Sequence, residues 1–116
     1  AWDAERCASL SPRVISEIIR GRIGFEGLLM SDDLGMHALQ GDFADRARGV
    51  VAAGCDVALH CSGDMAEMRA VASGLGTMGA ASVERLERAM ATIAGSAPVT
   101  SYEEAAAKRD ALLAYA

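Results

Sequence analysis

Apolar residues along this chain alternate between helical and strand-like spacing. Val14, Ile15, Ile18 and Ile19 share one helical stripe, and Ser11-Pro12 ahead of them is a helix start. The serine hydroxyl can cap free amides, and proline at the first helical position gives up no bond. Gly21 is placed to stop that helix. The next run, Leu28-Leu29-Met30 within Phe25 to Ser31, is too short for a helix and predicts a buried strand. A second helix is predicted from Asp42, with Phe43, Ala47, Val50, Val51 and Gly54 on one face. Cys55 to Cys61 follows as a second strand, ended by Ser62-Gly63. Asp64 and Glu67 have capping-box spacing at the head of a third helix, whose inner face is read as Met65, Met68, Ala72 and Leu75. Gly74 to Gly79 reads as a loop. Beyond it, Ser82 is expected to cap a helix carrying Val83, Leu86, Met90 and Ile93, stopped by Gly95-Ser96-Ala97-Pro98. Ser101 and Glu104 form a capping box that opens the last helix, running through Ala105 to Tyr115.

This helix and strand alternation, with short connections and doubly covered strands, implies an α/β fold with parallel strands joined by helical crossovers. Two strands cannot make a sheet with two covered faces. The expectation is therefore of an incomplete domain, whose missing portion supplies the neighbouring strands.

Charge narrows the partners. With 11 Lys+Arg against 16 Asp+Glu the formal charge is −5, and no basic stripe breaks that balance. Nucleic-acid binding depends on clustered Lys and Arg, so no nucleic-acid partner is expected. No apolar run approaches the roughly 20 residues of a membrane-spanning helix, and the first residues lack the pattern of a signal peptide. A cytoplasmic location without membrane contact is the expectation. Cys7, Cys55 and Cys61 make an odd set without metal-ligand spacing, which fits a reducing compartment and buried filler rather than disulfides or zinc.

Candidate chemistry sits at Asp32 and Asp33. In parallel α/β folds, reacting groups lie beyond the carboxyl ends of strands, where a carboxylate can act as nucleophile, as general base or as a cation ligand. The plainer alternative is an Asp pair that caps a turn. Neighbours on a strand face opposite ways, so Asp33 is read as orienting the loop or accepting backbone amides. His37 reads as a solvated loop histidine and His60 as a satisfied structural one. Two other classes remain open on the residues alone. One is a receiver-like phosphoacceptor module, although the only lysine is Lys108, in the terminal helix; the other is a non-catalytic α/β interaction fragment drawing on residues 80 to 116.

Several stretches also carry a resemblance. They are Leu10 to Ile15, Arg20 to Leu34 with its Gly-Phe-x-Gly-hydrophobic-Ser-Asp-Asp-Leu signature, Gly41-Asp42-Phe43, and Ala53 to Asp56 with His60-Cys61. Together they resemble the bacterial β-N-acetylhexosaminidases of glycoside hydrolase family 3, enzymes of peptidoglycan recycling. The likeness reaches residues 1 to 73 and fades after about residue 76. It implies the C-terminal portion of a TIM-type barrel of about 250 residues, with Phe25 to Ser31 on the seventh strand and Asp56 to Cys61 on the eighth. Residues 1–76 would be the last β/α units, and residues 77–116 helices packing on the barrel. It implies a retaining hydrolase that removes terminal β-linked N-acetylglucosamine from muropeptides without metal or organic cofactor, Asp32 being the nucleophile. Met36 would lie near the acetamido group. The acid/base, an Asp-His pair, and the sugar-binding Arg, Lys and His would come from the upstream part of the same barrel.

Overall fold

The computed structural model describes residues 2–95 and 100–115. A short 3-10 turn, Ala8–Leu10, leads into a helix that is π-helical over Val14–Arg22. Strand β1 (Met30–Asp33), helix α1 (Phe43–Ala53), strand β2 (Val57–Leu59) and helix α2 (Met65–Ser73) follow, then helices α3 (Ala80–Ala91) and α4 (Tyr102–Leu113). The two strands pair in parallel across the α1 crossover, as the alternation predicts.

The first helix begins as expected, Ser11 Oγ accepting the Val14 amide at 3.1 Å, but it does not stop at Gly21. Gly21 keeps a helical conformation, and the reversal falls at Gly24, with φ of 71°. Wide turns carry the chain there: the Ile23 amide donates to Ile18 O at 2.8 Å and the Phe25 amide to Ile19 O at 3.0 Å. Phe25 to Leu29 is not strand. Arg20 holds its start from the side, donating to Phe25 O at 2.8 Å and Gly27 O at 2.7 Å, with its guanidinium over the Phe25 ring. Strand β1 therefore starts later than predicted and contains both aspartates.

Helix α1 begins where predicted, with Asp42 as its cap accepting the Asp45 amide at 2.8 Å, and Gly54 closes it at φ 115°. Its buried face is Ala47, Val50 and Ala53, while Val51 is exposed. In α2, Asp64 accepts the amides of Ala66 and Glu67, but Glu67 does not return the bond. The inner face of α2 passes through Val71 rather than Met65 and Met68, which are exposed, because α2 meets α1 along the side that ends at Gly74. A Cβ on Gly74 would lie 2.2 Å from Ala44 O, so only glycine allows that approach. The core gathers Ile15, Leu34, Leu39, Ala47, Val50, Ala53, Cys55 and Val71.

Helices α3 and α4 add little to it. Ser82 is not a cap: Gly79 holds that position, and Val83, Met90 and Ile93 are exposed. The predicted stop at Ser96-Ala97-Pro98 lies outside the described residues. The Ser101 and Glu104 capping box forms as expected, yet α4 buries no side chain. The radius of gyration, 18.0 Å, accordingly exceeds the roughly 13 Å of a compact domain this long. Among the described residues no helix is long and apolar enough to cross a membrane.

One buried charge ties these pieces together. Asp56, its side chain 2% exposed, accepts from Arg20 at 2.7 Å, Arg85 at 2.8 Å, the Ser82 hydroxyl at 2.6 Å and the Leu29 amide at 2.8 Å. Burial pushes its pKa up, but the bonds from Leu29, Ser82 and Arg85 together outweigh that, so it titrates below the ordinary aspartate value. A depressed carboxylate stabilises the fold above its unfolded pKa, and that contribution is lost as pH falls through the folded value, here below about pH 4. Asp56→Ala strands two arginines that retain some water access, so in the complete protein it should cost about 3 kcal/mol, the low end for breaking a buried pair. Chemical denaturation at pH 7 and pH 3 checks both points: the difference between parent and variant should be large at pH 7 and shrink at pH 3.

Candidate active site

Strand β1 is irregular. Met30 pairs with Val57 and Asp33 with Leu59, three steps on one strand against two on the other. Such a bulge re-aims side chains at a strand end. Ser31 fills the gap: its hydroxyl accepts the Leu59 amide at 3.0 Å and donates to Asp32 O at 2.8 Å. Exposure then alternates, with Met30 and Asp32 exposed, Ser31 buried and Asp33 half-buried.

The paired aspartates part company as expected. Asp32 stands exposed, one oxygen accepting the Asp33 amide at 2.9 Å. Asp33 turns to backbone: its Oδ1 accepts Gly35 N–H at 3.0 Å and Cys61 N–H at 3.1 Å, joining the exits of β1 and β2. The Gly35 amide is the largest influence on its pKa, which lies below the ordinary aspartate value, and His60 and the Cys61 amide add to that.

His60 is buried beside this junction. Its Nε2 lies 2.9 Å from Glu67 Oε2 and 2.8 Å from Ser62 Oγ, and its ring meets Phe43 at 4.7 Å between centroids. The structural histidine expected here is thus satisfied on one nitrogen only, since Nδ1 has no hydrogen-bond partner. His37 and Met36 are exposed in the loop after β1. Of the cysteines Cys55 is buried filler, its thiol pKa raised by burial, whereas Cys61 is exposed. Among the described residues, no three His, Cys, Asp or Glu side chains are grouped to hold a metal ion.

The loop from Leu34 to Gly41 is clasped by Arg46, which donates to Leu34 O at 2.8 Å and Gly41 O at 3.0 Å and lies over the Phe43 ring. Sequence reasoning missed Arg46, Glu67 and the Asp56 cluster. Asp56 carried a signal, a charge inside an apolar strand, which demands partners; the others are solvent-type residues whose roles arise from distant backbone. Asp32 borders a hollow of about 90 Å³ with Ser9, Ile19 and Leu29, far below the roughly 300 Å³ of a ligand pocket. A larger hollow of about 530 Å³ lies between the N-terminal segment and α1, lined by Arg6, Leu10 and Gln40, away from the aspartates.

An acidic pair at the carboxyl end of a parallel strand defines an α/β protein with its candidate site on the strand rim. The chain belongs to the family described as glycosyl hydrolase family 3, N-terminal domain, which matches residues 1–95. A beta-hexosaminidase of Bordetella pertussis is 44% identical over 62 residues, 52% of this chain and 18% of that protein. One from Thioalkalivibrio sulfidiphilus is 45% identical over 64 residues, 50% of this chain and 18% of its own length. A third, from Stenotrophomonas maltophilia, is 42% identical over 62 residues, 52% of this chain and 18% of that relative. The alignments therefore span under a fifth of these curated relatives. Family membership favours the hydrolase reading over the receiver-like one.

Arg46→Ala should free the loop that carries Met36 without unfolding the core, weakening local protection by about 1 kcal/mol for the lost carbonyl bonds. Hydrogen exchange resolved on peptides spanning residues 34–41 should speed up, while the buried face of α1 keeps its rate.

Proposed function

We propose that this chain is part of a retaining β-N-acetylhexosaminidase in which Asp32 is the nucleophile. The observation that carries the reading is the Asp32 carboxylate, exposed at the end of a bulged parallel strand on the face it shares with exposed Met30, in a chain of a glycosidase family. Residues 1–76 are read as the last β/α units of a TIM-type barrel, β1 and β2 being its seventh and eighth strands, and residues 77–116 as helices packing on it. The uncovered face of β1 is then the barrel interior, and the remaining walls of the sugar pocket come from the N-terminal part of the barrel.

In this reading Asp32 attacks the anomeric carbon of a terminal N-acetylglucosamine, and an acid outside these residues protonates the departing oxygen. The glycosyl ester forms as the glycosidic bond breaks. The same outside group then takes a proton from water, which displaces Asp32 and returns its carboxylate. Asp33 cannot substitute, because both bonds it makes to backbone hold the strand exits. Met36 lies in the loop next to this centre and is assigned to the acetamido side of the pocket. The substrate is read as a muropeptide, the site as cytoplasmic, and the chemistry as needing no cofactor.

In the complete barrel, Asp32→Asn should reduce turnover of an aryl N-acetylglucosaminide to background with little change in thermal stability, since shape is kept and the nucleophile's charge is lost. Asp33→Asn should lose less activity and more stability. A fluorinated, activated donor should leave its label on the tryptic peptide Ile23 to Arg46, at Asp32, with net retention by proton NMR. Label on another carboxylate refutes the residue, and first-formed product of inverted configuration refutes the ester.

Residues 1–116 expressed alone should not turn over the same substrate, because the acid/base is elsewhere and β1 and β2 leave strand edges unpaired. Activity above background from that fragment, with cooperative thermal unfolding, would contradict the assignment of the acid/base to another part.

A further inference from the structure

Among the described residues, His60 Nδ1 is the one buried side-chain polar atom without a hydrogen-bond partner. Its side chain is 5% exposed, largely withdrawn from bulk solvent. Asp33 Oδ1 lies 3.6 Å from it, beyond hydrogen-bond length yet closed by a small shift. That oxygen is the one that accepts the amides of Gly35 and Cys61 and so joins the two strand exits. On the opposite side the ring is fixed by Glu67 and Ser62 at Nε2 and by the Phe43 ring. The imidazole is therefore anchored at one nitrogen and uncommitted at the other, and the uncommitted one faces the neighbour of the proposed nucleophile.

We propose that His60 is a positioning residue for the Asp32 centre, its Nδ1 steering Asp33 Oδ1 and through it the β1 exit that carries Asp32. The inference rests on the reading of Asp32 as nucleophile. Nε2 faces the Glu67 carboxylate, to which the Ser62 hydroxyl also donates, so a proton on Nδ1 is the ring's second, and Asp33 Oδ1 is its acceptor. Hydrogen bonds of this kind are often long in an empty site and shorten when substrate is bound. Glu67, Ser62 and Phe43 make the ring a fixed reference, so Asp33 is the group that moves. The effect reaches turnover rather than affinity, because the misplaced group is the one that attacks.

The two amide side chains separate this role from a packing role. Asparagine can place its nitrogen near Nδ1, and glutamine near Nε2. In the complete barrel, His60→Gln should lower kcat for an aryl N-acetylglucosaminide about tenfold or more, with KM and Tm near the parent values. His60→Asn should recover most of that kcat. Rescue by glutamine alone, or equal losses in both variants, overturns the proposal, since the Glu67 contact or ring packing would then be what matters. If the parent protein is inactive, or Asp32→Asn keeps its activity, the reading of Asp32 fails and this inference with it. If Asp32→Asn is inactive and both His60 variants are fully active, this inference alone fails.

Discussion

The buried carboxylate of Asp56 is the constraint on which the rest of this structure depends. A charge withdrawn from water is tolerable only with several donors around it, and here four donors come from three separate places in the chain. Arg20 arrives from the π-helical segment, the Leu29 amide from the approach to β1, and Ser82 and Arg85 from the first turns of α3. Each is fixed in position by the same two oxygens. The start of β2 is thereby the place where the segments before β1, the sheet and α3 are brought into register, although α3 itself buries no side chain.

From that end of the sheet the two strands run in parallel to an opposite end with a different character. There the carboxylate of Asp33 performs a smaller version of the same task, joining Gly35 and Cys61, and Ser31 closes the bulge. Asp32 is left with a single backbone contact through its side chain. The rim thus treats adjacent acids differently: one is used up by the architecture, the other keeps an exposed carboxylate. Arg46 of α1 and His60, just after β2, both lie against the Phe43 ring.

Much of this order was legible in the residues. The α/β alternation, the helix start at Asp42, the caps at Asp64 and Ser101, the strand positions to within a few residues and the divergence of Asp32 from Asp33 follow from local rules that act over three or four positions. The misreadings share one cause. Ser82 looks like a cap and Met65 and Met68 look like an inner face when only their own helix is considered. The Asp56 carboxylate claims the first, and the close approach of α1 and α2 at Gly74 turns the others outward. Phe25 to Leu29 reads as strand by composition, but Arg20 holds it from the side at the Phe25 and Gly27 carbonyls.

By itself, then, the sequence determined which segments are helix and strand, that the strands are parallel, and that an acidic pair sits at a strand's carboxyl end, because spacing and capping are properties of neighbours along the chain. Only the tertiary structure decided which amides Asp33 accepts, what surrounds His60, and where Asp56 finds its donors. Glu67 meets His60 across a loop, and Asp33 meets the Cys61 amide across the sheet. Contacts between residues far apart in sequence leave no periodicity to read, and they exist only once burial of the α1 and β1 core has brought those segments together.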